Sequence, residues 1–523
     1  MTPRSHEVTE RRHFKRLRVS VSPWLRDRTF FFALFALFAV NVLSQVPTLD
    51  VVELSVAEAQ RRMTMGTLTS RALTQAYLDR IAALDDSGPQ LNAVIDINPA
   101  AFKEAEARDA ERKARKARGP LHGIPVLIKD NIDVAGMINS AGSLAFADNR
   151  PASDAFVIRR LRDAGVVVLG RTNLSEWANF RSTRSTSGWS SRGGQTKNPH
   201  VLDRNPCGSS SGSAVAVAAS LAAVAIGTET NGSIICPASV NGVVGLKPTV
   251  GLVSRTGIIP IAPSQDTAGP IGRTVADVAA LLVAMAGVDP RDPASSAAVK
   301  PPAVYTAALA AGALKGARIG VLLRSPMQPD VDAAMQTALA SMRRAGAIVV
   351  DVQMPTFGKW DQQEVLLYEF KASINRYLAG SSSAQKSLEA LIAWNKANAD
   401  RVMPLFGQEM FELAQAKGPL TDAAYVKARE TATRLAGAEG LLAILARDNL
   451  TAIVAPSGGG AYSAAAIAGT PSITIPIGES RGLPFGITFM GPAFSEPKLI
   501  GLAFALEQLT NARHPPRFLP TFP

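Results

Sequence analysis

The sequence predicts an α/β fold in which a mixed β-sheet is covered by helices on both faces. The chain has 523 residues, of which 47% are hydrophobic and 19% are charged, and this composition is ample for one large core. Short β-rich runs alternate with helical stretches along most of the chain, as in sheets that carry helices on both sides. The segments that indicate chemistry are expected to lie on both sides of one sheet, so we expect residues 47–523 to form a single domain.

The elements can be assigned in chain order. Ser55-Val56-Ala57-Glu58 is a capping box that predicts a helix start, and apolar residues recur at helical spacing after Thr69. Nine short runs of β-branched and apolar residues then predict strands. These runs are residues 94–97, 124–128, 166–169, 243–246, 319–323, 348–352, 453–455, 473–477 and 487–490.

Four further segments have a distinctive composition. Residues 103–118 mix acids with bases and fit a solvated helix face. Residues 213–225 are almost wholly small and apolar, which predicts a short buried helix. Residues 290–302 are rich in Pro, Ala, Ser and Asp and predict a connector to a helical segment at 328–449. Within that segment, five side chains are candidates for a substrate wall, with core packing as the alternative: Leu366, Leu367, Tyr368, Phe370 and Tyr377.

The first 46 residues differ in character from the rest. Residues 1–28 contain eight lysines and arginines against three acids, and an apolar stretch follows at 29–46. This order is typical of a secretory signal, so we expect export to the periplasm or envelope. The apolar stretch is shorter than the ~20 residues that span a bilayer comfortably, and an uncleaved membrane anchor is the alternative. Arg11-Arg12 also resembles a twin-arginine signal.

The charge of the chain argues against nucleic acid as a partner. The formal net charge is +12, and the first 28 residues supply five of these positive charges. The remainder contains no basic cluster with interleaved aromatic residues. A basic surface of this kind could instead attract acidic peptides or an anionic envelope.

Two serine clusters, each set among small residues, are the most informative part of the sequence. They read GSSSGS at 208–213 and NGSI at 231–234. Glycine allows a close approach by substrate or by another backbone, so Ser209 and Ser233 are candidate reactive residues. GSSSGS alone would also fit a flexible linker, but a linker does not normally run into a buried helix.

The histidines offer no obvious base for these serines. His6 and His13 lie in the leader, and His514 lies in a Pro-rich tail. His122 and His200 fit loop or surface positions better than a catalytic one. Residues 208–212 also match G-x-S-x-G, but that motif requires a preceding strand and a following acid and histidine in a set order, which this chain lacks.

Lys129 is the alternative base. It lies in the apolar run GIPVLIKDN, and burial among apolar groups lowers the pKa of a lysine because it disfavours the ammonium form. A neutral amine could then accept a proton from serine. The non-catalytic interpretation is a lysine at a strand end that pairs with Asp130.

Taken together, these motifs resemble the amidase signature family. That family has a lysine in a K-D-N strand, a serine in a Gly/Ser-rich loop, and a second serine about two dozen residues later, ahead of G-L-K-P-T. The matching segments here are residues 129–131, 207–212, 231–234 and 245–249. The resemblance extends over nearly the whole chain after about residue 50, and within the family it is greatest to bacterial peptide amidases.

The resemblance implies specific roles. Ser233 would be the nucleophile, Ser209 the bridging serine and Lys129 the base of a relay that forms an acyl-enzyme. Backbone N–H groups of Thr230, Asn231, Gly232 and Ser233 would form the oxyanion hole. The peptide bond between Gly208 and Ser209 would be cis. The expected reaction is hydrolysis of the C-terminal amide of peptides with release of ammonia, in an amidase catalytic domain spanning residues 47–523.

Two departures from the family pattern leave alternatives open. Glu229, Asn231 and Ile235 replace the usual acid, glycine and arginine of the second serine loop, and the connection at 456–462 is short. A general amidase acting on small aliphatic or aryl amides is therefore one alternative, and a catalytically silent binding protein is another. A transfer-RNA amidotransferase component would share the three catalytic residues, but the leader argues against it.

The sequence predicts no cofactor. No Cys or His spacing suits a metal site, and no phosphate-binding loop is present. Cys207 and Cys236 are the only cysteines, and we interpret them as small buried thiols, with a disulfide as the alternative after export. The expected partner is an amide substrate, without nucleic acid, and the oligomeric state is left open.

Overall fold

An 11-stranded mixed β-sheet runs through this computed structural model, which describes residues 49–297, 304–322, 327–360 and 362–523. Residues 50–523 form one compact unit. The predictions for the leader at residues 1–46 lie outside the described residues. None of the helices in the described ranges is both long enough and apolar enough to cross a membrane.

The strands of this sheet, and of a separate two-stranded hairpin, are given in chain order. They are β1 (Val94–Ile97), β2 (Pro125–Lys129), β3 (Val167–Thr172), β4 (Trp189–Ser190), β5 (Gly194–Gln195), β6 (Val224–Glu229), β7 (Val244–Lys247), β8 (Thr267–Gly272), β9 (Arg318–Val321), β10 (Ile348–Asp351), β11 (Ala452–Pro456), β12 (Ser472–Ser480) and β13 (Leu483–Met490). The order across the large sheet is β1-β3-β2-β6-β8-β7-β12-β13-β11-β9-β10, and β4 pairs with β5.

The α-helices of the described residues are also given in chain order. They are α1 (Val56–Thr64), α2 (Ser70–Leu84), α3 (Ala101–Lys113), α4 (Phe156–Asp163), α5 (Ser211–Ala218), α6 (Ile235–Val240), α7 (Val275–Met285), α8 (Val304–Ala307), α9 (Pro329–Arg344), α10 (Gln363–Gly380), α11 (Leu388–Ala397), α12 (Ala399–Val402), α13 (Glu409–Gln415), α14 (Ala423–Thr433), α15 (Leu442–Arg447), α16 (Tyr462–Ile467) and α17 (Glu496–Thr510).

The predicted α/β class with a mixed sheet is confirmed. Strand β2 pairs in parallel with β3 and β6, whereas β8 pairs antiparallel with β6 and β7. Every residue of β2, β3 and β6 is buried. Because successive side chains of a strand point to opposite faces, continuous burial means that both faces of the sheet are covered there.

All nine predicted strands are present, with ends shifted by a few residues at most sites. The predicted helix start is confirmed, since Ser55 Oγ accepts a hydrogen bond from the Glu58 N–H at 3.1 Å. The reciprocal half of the capping box is not present in the described residues, because the Glu58 carboxylate binds Arg61 and Arg62. The helix predicted at 213–225 is wrong in its second half. Helix α5 ends at Ala218, and the chain then enters β6, because a run of small apolar residues fits a fully buried strand as well as a buried helix.

Strands β6 and β8 were both missed by the sequence analysis. β8 reads TAGPIG, whose Gly and Pro argue against a strand, yet it is paired along its whole length with β6 from Val224↔Gly272 to Glu229↔Thr267. This antiparallel pairing matters for the site, because it brings the residue before Thr267 next to the residue after Glu229.

The substrate-wall assignment is corrected for four of its five residues. Leu367 and Phe370 are buried in an apolar cluster with Trp177 and Phe411, and Leu366 packs against that cluster. Tyr368 is also buried and contacts Tyr425. Aromatic residues at helical spacing along α10 thus serve mainly as core, and only Tyr377 lines a cavity.

Candidate active site

The predicted lysine and serines converge at one edge of the sheet. Lys129 is the last residue of β2, and Ser233 follows the end of β6 by four residues. Because β2 and β6 are parallel neighbours, their carboxyl ends lie at the same edge, where α/β proteins commonly bind ligands. Ser209 lies just before α5, a helix that packs against β6.

The amine of Lys129 is surrounded by hydroxyl groups. Its Nζ atom lies 2.8 Å from Ser209 Oγ, 3.0 Å from Ser210 Oγ and 2.8 Å from Thr228 Oγ1. Thr228 Oγ1 also accepts a hydrogen bond from Asn131 Nδ2 at 2.9 Å. The sequence analysis did not single out Thr228, which is placed here by its position near the end of β6.

Burial depresses the pKa of Lys129 to about 7, far below the ordinary value for a lysine. The side chain is fully buried, and Glu229 and Asp266 offset only part of the desolvation by favouring the charged form. The alternative pairing with Asp130 is not observed. Asp130 turns away and binds Arg171 at 3.1 Å. A substantial fraction of Lys129 is therefore a neutral amine near pH 7, and such an amine can accept a proton from a hydroxyl.

The side chains of Ser209 and Ser233 lie at the wall of one small chamber. Both Ser209 and Ser233 line it, and the backbone N–H of Ser210 donates to the carbonyl oxygen of Ser233 at 3.0 Å, which ties the two loops together. The Gly208–Ser209 peptide bond is cis, as the resemblance implied. Both serines are among the described residues, and the structure has no hydrogen bond between their hydroxyl groups.

Glu229 holds the loop that carries Ser233. One carboxylate oxygen accepts the N–H of Gly232 at 2.7 Å, and the other accepts those of Ile234 at 2.7 Å and Ile235 at 3.0 Å. The missing acid–arginine pair is thus replaced by an acid that binds the backbone directly. This finding corrects the predicted oxyanion donors, because the N–H of Gly232 is already engaged by Glu229.

The other three predicted donors remain free. In the described part of the chain, the backbone N–H groups of Thr230, Asn231 and Ser233 have no hydrogen-bond partner. They belong to the turn that follows β6, beside the chamber that Thr230 and Ser233 line. A turn with three unengaged N–H groups beside a serine hydroxyl is suited to bind a developing oxyanion.

The short connection after β11 packs directly on this turn. Ser463 Oγ donates to Asn231 Oδ1 at 2.9 Å, so this oxygen of the Asn231 side chain is engaged by protein. A Cβ atom at Gly232 would lie 2.5 Å from the Tyr462 ring, and Gly232 has a φ of 81°. Only glycine fits there without strain. The short connection thus brings Tyr462 against the turn at residues 230–233, which we call the serine turn.

Asp266 is a site residue that the sequence analysis missed. Its carboxylate accepts the hydroxyl of Thr230 at 2.5 Å and the N–H groups of Ile261 and Ala262 at 2.9 Å each. Burial raises its pKa to about 7. Asp266 lies beside Thr230 because β6 pairs with β8. No local pattern in the sequence predicts this pairing.

His122 and His200, which were not predicted to act as bases, lie outside the candidate site. Both are buried and not at the surface. His122 Nε2 is 2.9 Å from the Arg108 carbonyl, and His200 Nε2 is 3.1 Å from the Asn241 carbonyl. Burial lowers the pKa of His200 to about 4. Neither ring is hydrogen-bonded to a serine of the site.

Cys207 and Cys236 form a disulfide, which corrects their interpretation as free thiols. Cys207 precedes the Gly208–Ser209 bond, and Cys236 lies three residues after Ser233 in α6. The disulfide therefore links the two serine-bearing loops. The cysteines are 29 positions apart in the sequence. The predicted relay brings their two loops together, but it does not distinguish a disulfide from two thiols.

A larger cleft lies beside the chamber. The chamber itself holds about 20 Å³, which is room for little more than a water-sized group. The outer cleft holds about 450 Å³, and it shares Arg255, Ile258 and Asp266 with the chamber. A small group bound at Ser233 would therefore lie next to the larger cleft. No cluster of metal-ligating side chains occurs in the described ranges.

Comparison with known proteins identifies extensive similarity. The family model described as Amidase matches residues 72–457. A peptide amidase from Stenotrophomonas maltophilia has a similar structure, with a TM-score of 0.87 and 56% sequence identity; the match covers 89% of this chain and 99% of that one.

Two curated sequences extend the comparison. A probable amidase of Arabidopsis thaliana is 41% identical over 504 residues, which are 92% of this chain and 96% of that protein. A glutamyl-tRNA(Gln) amidotransferase chain of Salinispora arenicola is 34% identical over 512 residues, which are 89% of this chain and 99% of that protein.

Proposed function

This chain belongs to the amidase family of hydrolases, which act on amide C–N bonds, and we propose that it removes the C-terminal amide of peptides and releases ammonia. The observation that carries the choice of substrate is the small chamber of about 20 Å³ at Ser233, which shares part of its wall with a cleft of about 450 Å³. The small leaving group fits the chamber, and the peptide fits the cleft.

The proposed reaction uses a relay of three side chains. Ser233 Oγ attacks the carbonyl carbon of the amide while its proton passes to Ser209 Oγ, and the proton of Ser209 passes to the neutral Nζ of Lys129. Reversal of this relay protonates the departing nitrogen, which leaves as ammonia. Water then hydrolyses the acyl group from Ser233 by the same proton path.

The environment of Lys129 supports its role as the base. Its pKa of about 7 leaves much of the amine neutral at physiological pH, and Ser209 Oγ lies 2.8 Å away. The step from Ser233 to Ser209 needs a hydrogen bond that the substrate-free structure lacks. Such contacts in catalytic sites commonly tighten only when substrate is bound.

The oxyanion is assigned to the free N–H groups of the serine turn. As the carbonyl oxygen gains negative charge, the N–H groups of Thr230, Asn231 and Ser233 would donate to it. Fixed donors of this kind are worth ~10²–10³ in turnover each, because they need no reorientation during the reaction. Glu229 and the Tyr462 ring hold the turn in place.

The test compares three substrates that differ in the size of the leaving group or of the acyl group. We expect ammonia from an acetylated dipeptide amide, little amine from the same dipeptide N-methylamide, and slow turnover of propionamide. The Ser233→Ala variant, which lacks the proposed nucleophile, is the inactive control. Equal rates on the amide and the N-methylamide would contradict the assignment of the leaving group to the chamber.

Two other functions are distinguished by the same assay. A general amidase would hydrolyse propionamide at least as well as the dipeptide amide, since it would gain nothing from the outer cleft. A catalytically silent binding protein would release no ammonia from any amide and no alcohol from any ester.

We also propose that the protein is exported, either with its leader removed or with the leader retained as an anchor. The disulfide between Cys207 and Cys236 supports this proposal, because such bonds persist in oxidising compartments. Fractionation of cells that express the full chain should place the amidase activity in the periplasm or envelope. Activity confined to the cytoplasm would contradict export.

A further inference from the structure

Among the charged side chains that line the outer cleft, guanidinium groups are available to a substrate and the carboxylates are not. Three arginines line it, Arg255, Arg291 and Arg376, and two carboxylates, Asp266 and Asp292. A count of charges gives a near balance. The hydrogen bonds of these side chains give a different picture, because the groups already engaged by protein are not available to a substrate.

Both carboxylates are committed to protein donors. Asp266 accepts hydrogen bonds from Thr230 and from two backbone N–H groups. Asp292 binds the Arg255 guanidinium through both oxygens, at 2.9 and 2.5 Å. Arg255 is thereby engaged as well, and its remaining nitrogen donates to the Pro263 carbonyl.

Arg376 and Arg291 remain available at the outer part of the cleft. Both are exposed, and Arg376 has no ion-pair or hydrogen-bond partner within the described residues. Arg291 is only loosely associated with Asp289, with 3.7 Å between Nε and Oδ1 and 54% of the side chain exposed. Arg376 is carried by α10, next to Tyr377, which also lines the cleft.

From this arrangement we infer that the cleft selects peptide amides with an acidic residue upstream of the amidated one, and that Arg376 and Arg291 are the residues that determine this preference. The inference rests on the proposed function. With the amide in the chamber, the upstream residues extend through the cleft past Arg255 toward these two guanidinium groups. Neutral residues can still occupy the remainder of the cleft, whose wall includes Ile258, Pro260 and Pro263.

The expected preference is modest and depends on salt. An exposed ion pair changes an equilibrium by up to about fivefold, so two arginines should favour a glutamate peptide over its glutamine counterpart by roughly threefold to tenfold in kcat/KM. Screening at high ionic strength should reduce that ratio toward one. Glutamine matches glutamate in shape, so the ratio isolates the charge.

The test uses three pairs of acetylated tetrapeptide amides, with glutamate or glutamine one, two or three residues before the amidated residue. We expect a glutamate preference for at least one pair at low salt, and a ratio near one for Arg291→Gln/Arg376→Gln, whose folding is checked by thermal melting. The single variant Arg376→Gln should give an intermediate ratio. Arg343→Gln is the matched control, because it removes one exposed arginine from α9, outside the cleft, and should keep the preference.

The outcomes separate the inference from the proposed function. Turnover of all peptides with ratios near one would overturn the preference and leave the peptide amidase activity intact. A preference that persists in the double variant would overturn the assignment to these arginines. Release of no ammonia from any of the six peptides would overturn the proposed function and the inference together.

Discussion

The Nζ atom of Lys129 lies 2.8 Å from Oγ of Ser209, and both side chains are fully buried. Replacing the amine with a thioether of similar length in Lys129→Met keeps the volume and removes the proton acceptor. We expect kcat to fall by ~10²–10⁴, the range for loss of general acid–base catalysis. Ammonia release measures the rate, and unchanged thermal melting shows that the fold is kept. Ordinary activity in this variant would contradict the relay.

The pKa of Lys129 predicts the pH dependence of catalysis. Because the base must be neutral, kcat/KM should rise with pH and reach half its maximum near pH 7, where the buried amine loses its proton. The same shift affects stability. The folded pKa lies below the unfolded value of 10.5, so the unfolded chain binds more protons between about pH 7 and 10.5, and this group's contribution to stability rises over that range. A rate that is flat from pH 5 to 9 would contradict a titrating base.

Asp266 should influence the rising limb of the pH–rate profile, that is, the pH at which kcat/KM reaches half its maximum. Its negative charge favours the ammonium form of Lys129, so Asp266→Asn should move the limb to lower pH. Asparagine can accept the two backbone N–H groups with its oxygen and donate to Thr230 with its nitrogen, which keeps the local contacts. Asp292→Asn is the control, because it removes a carboxylate from the same cleft that does not act on Lys129. An identical limb in wild type and Asp266→Asn would show that the two groups are uncoupled.

The sequence singled out three residues that lie together in the candidate site but not the groups that surround them. Lys129, Ser209 and Ser233 occur in motifs whose order and spacing are informative. Asp266 reaches the site only through the pairing of β6 with β8, and both strands were missed. Their residues are small, apolar or turn-forming, so local patterns do not distinguish them from a buried helix or a loop.

Glu229 should act on turnover by positioning the serine turn. In Glu229→Gln the side-chain nitrogen cannot accept an N–H, so at least one of the three contacts to Gly232, Ile234 and Ile235 is lost. Because these contacts fix the turn that carries the N–H donors, we expect kcat to fall by about tenfold to a hundredfold, no more than the ~10²–10³ for the complete loss of one donor. The pH limb should also move to lower pH, since the charge of Glu229 favours the Lys129 ammonium form. A purely structural role would lower the melting temperature and leave the limb in place.

The disulfide between Cys207 and Cys236 should stabilise the folded chain by restricting the unfolded one. The cysteines are 29 residues apart, and the loop-closure entropy for that separation corresponds to about 3–4 kcal/mol. Cys207→Ala/Cys236→Ala should therefore unfold at lower urea concentration than the oxidised wild type. Dithiothreitol should shift the wild type in the same direction and leave the double variant unchanged. Equal midpoints for oxidised and reduced wild type would show that the bond does not constrain the chain. Because the disulfide joins the two serine-bearing loops, the reduced wild type should also lose activity before it unfolds.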